Sequence, residues 1–138
     1  MILLDTNVLI YASDSGSPHC EWAREVIAKA VSGTGAGVSA ICLAELCVGE
    51  ANPASAASRI RDWGVAILDV PAAAAEVCAL AYRAYRERRH LRSGQASPRT
   101  PLPDFFIGAH AQTMGWTLAT ADAARIKTYF PSVRLISP

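Results

Sequence analysis

Four carboxylates stand where carboxylates are out of place. Asp5 lies between Ile2-Leu3-Leu4 and Val8-Leu9-Ile10, and Glu45 lies inside Ile41-Cys42-Leu43-Ala44 and Leu46-Cys47-Val48 with no other charge. Asp104 opens the run Phe105-Phe106-Ile107-Gly108-Ala109, and Asp122 closes Trp116-Thr117-Leu118-Ala119 after Thr120-Ala121. Acids are ordinarily scattered over solvated faces, so acids set in apolar text need partners. Each could be capped or salt-bridged separately. If instead all four share one rim, their mutual repulsion at low dielectric calls for a divalent cation. Oxygen-only ligation with no His or Cys alongside suits Mg²⁺ or Mn²⁺ and argues against zinc. A cation so held lowers the pKa of a bound water and stabilises developing negative charge. Glu45 is expected to be largely buried, because its neighbours are apolar. The nearest basic residues, Lys29 and Arg59, are distant in sequence.

Other chemistries find no support. There is no Ser-His-Asp order and no GxSxG elbow. The glycine-rich stretch 33–37 has neither the GxGxxG pattern nor a P-loop lysine. An aspartyl phosphate carrier would want a second acid beside Asp5 and a rim lysine, yet Lys29 and Lys127 are the only lysines. His110 reads as a core histidine.

The elements that must position these acids alternate. Residues 2–5 read as a buried strand; after a polar loop, Ser17-Pro18 leads into a helix with Trp22, Ala23, Val26, Ile27 and Ala30 on one face. Glycines stop it before a strand at 37–39. A helix starts near Ala40, another at Asn52-Pro53, and Gly64 ends the latter. A strand at 65–70 precedes the longest helix, about 72–92, with an apolar stripe of Val77, Leu80, Ala81 and Ala84. A Pro/Gly loop covers 93–103, a helix 104–113, a strand 116–119, a short helix 122–127 and a last strand 133–136. This alternation predicts an α/β fold, one domain over residues 1–138, with a parallel sheet of about four or five strands and helices on both faces. In such a sheet the strand ends and helix starts share the edge where ligands bind. Asp5, Asp104 and Asp122 fall on that edge, and Glu45 sits a turn and a half into a helix that begins there.

The blocks ILLDTNVLIYA, SAICLAEL, LPDFFIGAHA and WTLATAD, in this order, resemble the PIN-domain family, most of all the VapC-type ribonuclease toxins of toxin–antitoxin pairs. The last block has Ala121 where a basic or polar residue is common, which removes no proposed ligand. The resemblance implies a single PIN-like nuclease domain whose catalytic and metal-binding acids are Asp5, Glu45, Asp104 and Asp122. It implies Mg²⁺ (or Mn²⁺) held mainly by Asp5 and Asp122. Thr6 or Asn7, Ser39 and Thr120 would orient the carboxylates. The implied activity is endoribonucleolytic hydrolysis of RNA in the cytoplasm, with a cognate antitoxin and a homodimeric state. The alternative is a non-catalytic PIN-like module that binds RNA or protein.

Composition sets the outer limits. A chain of 138 residues, 51% hydrophobic and 18% charged, is that of a packed globular domain and excludes wholesale disorder. The net charge is +1, so RNA binding must rest on a local patch. Arg83, Arg86, Arg88, Arg89, Arg92 and Arg99 supply one, with His90 among them and Tyr82 and Tyr85 interleaved. Such a cluster suits phosphate contacts, an acidic antitoxin segment, or simply a solvated helix end favoured by the helix dipole. The four cysteines form no CxxC pair and read as small hydrophobes in a reducing compartment. The apolar N-terminus lacks a basic n-region, so no signal peptide is expected. The longest uncharged run, between Asp104 and Asp122, falls short of the ~20 apolar residues of a membrane span.

Overall fold

A computed structural model of the chain describes residues 1–93 and 101–138; the expected loop at 93–103 falls largely outside them, as does Arg99. At its centre is β1 (Ile2–Leu4), whose Leu3 and Leu4 are wholly buried. β2 (Ala36–Ser39) pairs with one side of it and β4 (Thr117–Ala119) with the other; β3 (Ala66–Leu68) and β5 (Leu135–Ile136) form the outer strands. All pairings are parallel, in the order β3-β2-β1-β4-β5. Leu3 is opposite Gly37 on one side and Leu118 on the other. The chain moves outward through β2 and β3, then returns to lay β4 on the opposite flank of β1. The direction of winding therefore reverses between β1 and β4, the place where open parallel sheets form their ligand crevice.

Among the described residues seven helices cover the sheet: α1 (Thr6–Ser13), α2 (Cys20–Ser32), α3 (Ala40–Val48), α4 (Pro53–Asp62), α5 (Ala74–Ser93), α6 (Leu102–Met114) and α7 (Ala123–Tyr129). Residues Cys20, Ala23, Val26, Ile27 and Ala30 of α2 are buried, on the face their spacing predicts. Asn52 caps α4 by accepting a hydrogen bond from the Ala54 amide at 3.1 Å, with Pro53 at the first helical position. The cysteines are unbridged; Cys20, Cys42 and Cys78 are buried, Cys47 half-buried. Among the described residues no helix is long and apolar enough to cross a membrane.

Two expectations are corrected. Residues 6–13 form α1 instead of a loop. The β-branched Thr6, Val8 and Ile10 weaken the local helix signal, but Asp5 caps the helix and Val8, Leu9 and Ala12 bury against the core. Tertiary burial outweighs propensity there. On α5 the buried face is Ala74, Cys78 and Ala81, flanked by half-buried Val77, Tyr82 and Tyr85; Leu80 is 67% exposed and Ala84 is also exposed. The face is set by Phe105 of α6, whose ring lies 5.1 Å from that of Tyr82 and 5.2 Å from that of Tyr85. The tyrosines' apolar bodies, not the aliphatic stripe, decide which side of α5 is inside.

One packing feature gives a prediction with an unusual sign. Gly108 sits in α6 directly beneath the ring of Phe130, so close that a Cβ would collide with Cδ2 and Cε2. Glycine to alanine in a helix ordinarily gains about 1 kcal/mol. Gly108→Ala should instead lose about 1–3 kcal/mol, since Phe130 is buried and its ring has no exposed side to swing into. Urea unfolding of both proteins checks it.

Candidate active site

The four carboxylates are linked into one network at the β1/β4 edge. Asp5, immediately after β1, is 6% exposed. Its Oδ1 accepts from the Thr6 amide at 2.7 Å, and its Oδ2 accepts from Asn7 Nδ2 at 2.7 Å and Thr120 Oγ1 at 2.6 Å. Thr120, immediately after β4, is wholly buried and also accepts from the Asp122 amide at 2.9 Å. Asn7 is fixed in orientation because its Oδ1 accepts from the Ala121 amide at 3.1 Å. Thus Thr6, Asn7 and Thr120 hold Asp5 from three sides. Burial still raises the Asp5 carboxyl above its ordinary range, against those hydrogen bonds and the nearby Arg125 charge.

Glu45 joins from α3. Its Oε2 accepts a hydrogen bond from Thr6 Oγ1, so one threonine links Asp5 to Glu45 through its amide and its hydroxyl. The expectation that Glu45 is buried fails: it is an exposed residue whose carboxylate reaches back to Thr6. Leu43, Leu46 and Cys47 beside it are only half-buried, and Cys42 is the buried member of that helix. Ser39 caps α3, its Oγ accepting from the Cys42 amide at 3.2 Å. It therefore anchors the helix that carries Glu45 and shows no bond to an acid.

Asp104 and Asp122 meet across one guanidinium. Arg125 Nη1 is 3.2 Å from Asp104 Oδ2, and Nη2 is 2.9 Å from Asp122 Oδ2. Asp122 also caps α7, accepting from the Arg125 amide at 3.4 Å. Arg125 is the residue that sequence reasoning missed. Its signal was present in the Asp122–Arg125 spacing of three on a short helix, where side chains are neighbours.

The donor set, oxygen atoms of four acids on a crevice edge, fits a hard divalent cation in chemistry. Among the described residues no three His, Cys, Asp or Glu side chains stand ready as a ligand group. Asp104 and Asp122 are instead joined by Arg125. His110 takes no part: it is 1% exposed, its ring lies 5.6 Å from Trp116, and burial lowers its pKa. It is a core residue, as expected.

The basic cluster is on α5. Tyr82 and Tyr85 contact Phe105, the residue after Asp104, so α5 packs against the helix that carries Asp104. Arg83, Arg86 and Arg88 are exposed and Arg89 is half-buried, while the Arg92 side chain and Arg99 are outside the described residues. Arg83, Arg86, Glu87 and His90 line a shallow depression. Tyr82 and Tyr85 are not free stacking surfaces for bases; they are packed into a cluster with Phe105, and Tyr85 also meets Tyr129.

The family model of the PIN domain matches residues 2–130. The chain belongs to the PIN-domain family. Solved structures agree with this PIN fold over nearly the full length. FitAcB from Neisseria gonorrhoeae is 24% identical with a TM-score of 0.68, covering 100% of this chain and 98% of that one. DNA-bound VapBC from Salmonella typhimurium is 23% identical with a TM-score of 0.67, covering 99% and 96%. VapC20 from Mycobacterium tuberculosis, a sarcin–ricin loop cleaving toxin, is 17% identical with a TM-score of 0.63, covering 97% and 99%. No curated protein matches the sequence significantly. The structural neighbours also include a toxin–antitoxin complex from Klebsiella pneumoniae, and the five-stranded parallel α/β architecture of the described residues is that of the family.

Proposed function

We propose that this PIN domain is a divalent-cation-dependent endoribonuclease and the toxin of a toxin–antitoxin pair. The observation that carries the reading is the network at the β1/β4 crevice, in which Thr6, Thr120 and Arg125 join Asp5, Glu45, Asp104 and Asp122. Asp5, Asp104 and Asp122, with Glu45 at the margin, would hold Mg²⁺ or Mn²⁺. When bound, the cation supplies a Lewis acid for the phosphodiester and an activated water. The chain's own residues do the rest. Thr120 and Asn7 keep Oδ2 of Asp5 fixed, Thr6 ties Glu45 to the same point, and Arg83 and Arg86 draw the RNA backbone alongside. The toxin–antitoxin neighbour supports a cognate antitoxin; a homodimer and work in the cytoplasm, where the RNA is, complete the proposal.

The test is a single-stranded RNA incubated with the purified protein, with Mg²⁺ and with chelator. Cleavage should require the cation. Arg83→Glu with Arg86→Glu should weaken RNA association and reduce the log–log salt slope by about 0.7 for each phosphate that the arginines no longer neutralise. RNA that is bound but uncut with Mg²⁺ and with Mn²⁺ would instead support a non-catalytic binding module.

A further inference from the structure

Arg125 stands in a position that ordinary surface chemistry does not favour. It lies in the first turn of α7, where the helix dipole repels a cation. Its side chain is only 20% exposed, and its Nε is buried without a hydrogen-bond partner. A solvated arginine would relieve both conditions by swinging outward. What holds it in is the pair of carboxylates, Asp104 at 3.2 Å and Asp122 at 2.9 Å, and its charge also reaches Asp5. The guanidinium is thus the cation that balances the acids of the crevice, and it contacts two of the oxygens a metal would need.

We propose that Arg125 is the resident counter-ion of the pocket, and that a divalent cation must displace its guanidinium from Asp104 and Asp122 in order to bind. The inference rests on the proposed function in one respect, that a divalent cation binds these acids. It makes Arg125 a positioning residue with two opposed effects. Without metal it keeps Asp104 of α6 and Asp122 of α7 together, since removing it leaves two like charges facing each other. With metal it is a competitor, so the pocket loads only when the cation outcompetes an intramolecular ion pair present at high effective concentration. The α6–α7 junction remains closed either way, because one cation replaces another.

Arg125→Gln removes the charge while retaining a planar hydrogen-bonding end, and Arg125→Lys keeps the charge without the fork that spans two carboxylates. Mn²⁺ alone, titrated calorimetrically into each protein, should bind Arg125→Gln at least tenfold more tightly than the native chain, with Arg125→Lys between them. In the absence of metal Arg125→Gln should melt below the native protein, and Mn²⁺ should raise its melting temperature by more. A second measurement uses the native chain and does not depend on a variant folding. The Arg125 Nε–H resonance, assigned by its loss in Arg125→Lys, should shift saturably with Mg²⁺ as the guanidinium leaves the acids. Equal Mn²⁺ affinity in native and Arg125→Gln proteins, or an Nε–H signal unmoved at saturating Mg²⁺, overturns the proposal and leaves the nuclease reading intact. Failure of every protein to bind either cation overturns both.

Discussion

Asp5→Asn should abolish divalent-cation binding and lower RNA cleavage by about a thousandfold, beyond the 10–100-fold typical of losing a group that only orients a ligand. Relief of rim repulsion, taken alone, predicts a variant as stable as the native protein or more so. The hydrogen bonds change that expectation. Both oxygens of Asp5 face donors: the Thr6 amide at Oδ1, and Asn7 Nδ2 and Thr120 Oγ1 at Oδ2. The amide nitrogen of an asparagine would meet a donor at either position, and Asn7 cannot turn over because Ala121 fixes it. A mismatch of this kind costs about 1–3 kcal/mol. Asp5→Asn should therefore melt a few degrees below the native chain at neutral pH.

The pH dependence shows the other side of the same group. The folded pKa of Asp5 lies above the ordinary 3.8, so its native form holds the proton more tightly than the unfolded chain does. Its contribution to stability is fully present below 3.8 and is lost as pH rises through the folded value. Asp5→Asn should remove this loss, flattening that part of the stability–pH curve. Melting curves across the acid range, with Mn²⁺ titration and an RNA cleavage assay, check all three effects. Native-like cleavage by Asp5→Asn would refute the role of Asp5.

Thr120→Val should have the largest effect on stability of any single conservative change at the site. The side chain is wholly buried and nearly the shape of valine, so packing is kept while the hydroxyl is removed. That hydroxyl donates to Asp5 and accepts from the Asp122 amide and, at 3.4 Å, from Asn7. Its removal leaves a half-buried amide without its partner and takes one donor from a buried carboxylate, together about 2–3 kcal/mol. The melting temperature should fall by about 10 °C. Cleavage should fall by about a hundredfold, because Asp5 and Asp122 lose the group that ties them together. Thr120→Ser keeps the hydroxyl and should retain most of the activity. A Thr120→Val protein as active as Thr120→Ser would show that this tie does not matter.

Much of the sheet could be read in the sequence because short apolar runs bounded by glycines or polar residues leave few alternatives. The four acids were legible for the same reason, since charge in apolar text is conspicuous. α1 was hidden by its β-branched residues, which favour strand locally and become helical only because Asp5 caps them and the core receives Val8 and Leu9. Glu45 misled in the opposite direction. Its apolar neighbours suggested burial, but α3 leaves Glu45 exposed at the crevice margin, and sequence spacing alone does not reveal how deeply a nearly uncharged helix sits. Arg125 was hidden because an arginine on a short helix resembles any solvated cation, and its bond to Asp104 is made across 21 residues. The outer face of α5 was misjudged because Tyr82 and Tyr85 carry more buried surface than the expected stripe of Leu80 and Ala84.

The order of the strands bears on when the site can exist during synthesis. β1 is made first, but its partner on the active flank is β4, and the bond from Thr120 to Asp5 spans 115 residues. The half-sheet of β1, β2 and β3 can assemble while the ribosome is still translating, yet it holds neither Asp104 nor Asp122. At about 5–20 residues per second, this leaves several seconds in which a nascent chain carries Asp5 and Glu45 without the rest of its pocket. A chain stalled or cut short anywhere before β4 would be harmless to the RNA around it. In a protein read as a toxin, this parallel topology delays the weapon until the last fifth of the polypeptide has left the ribosome.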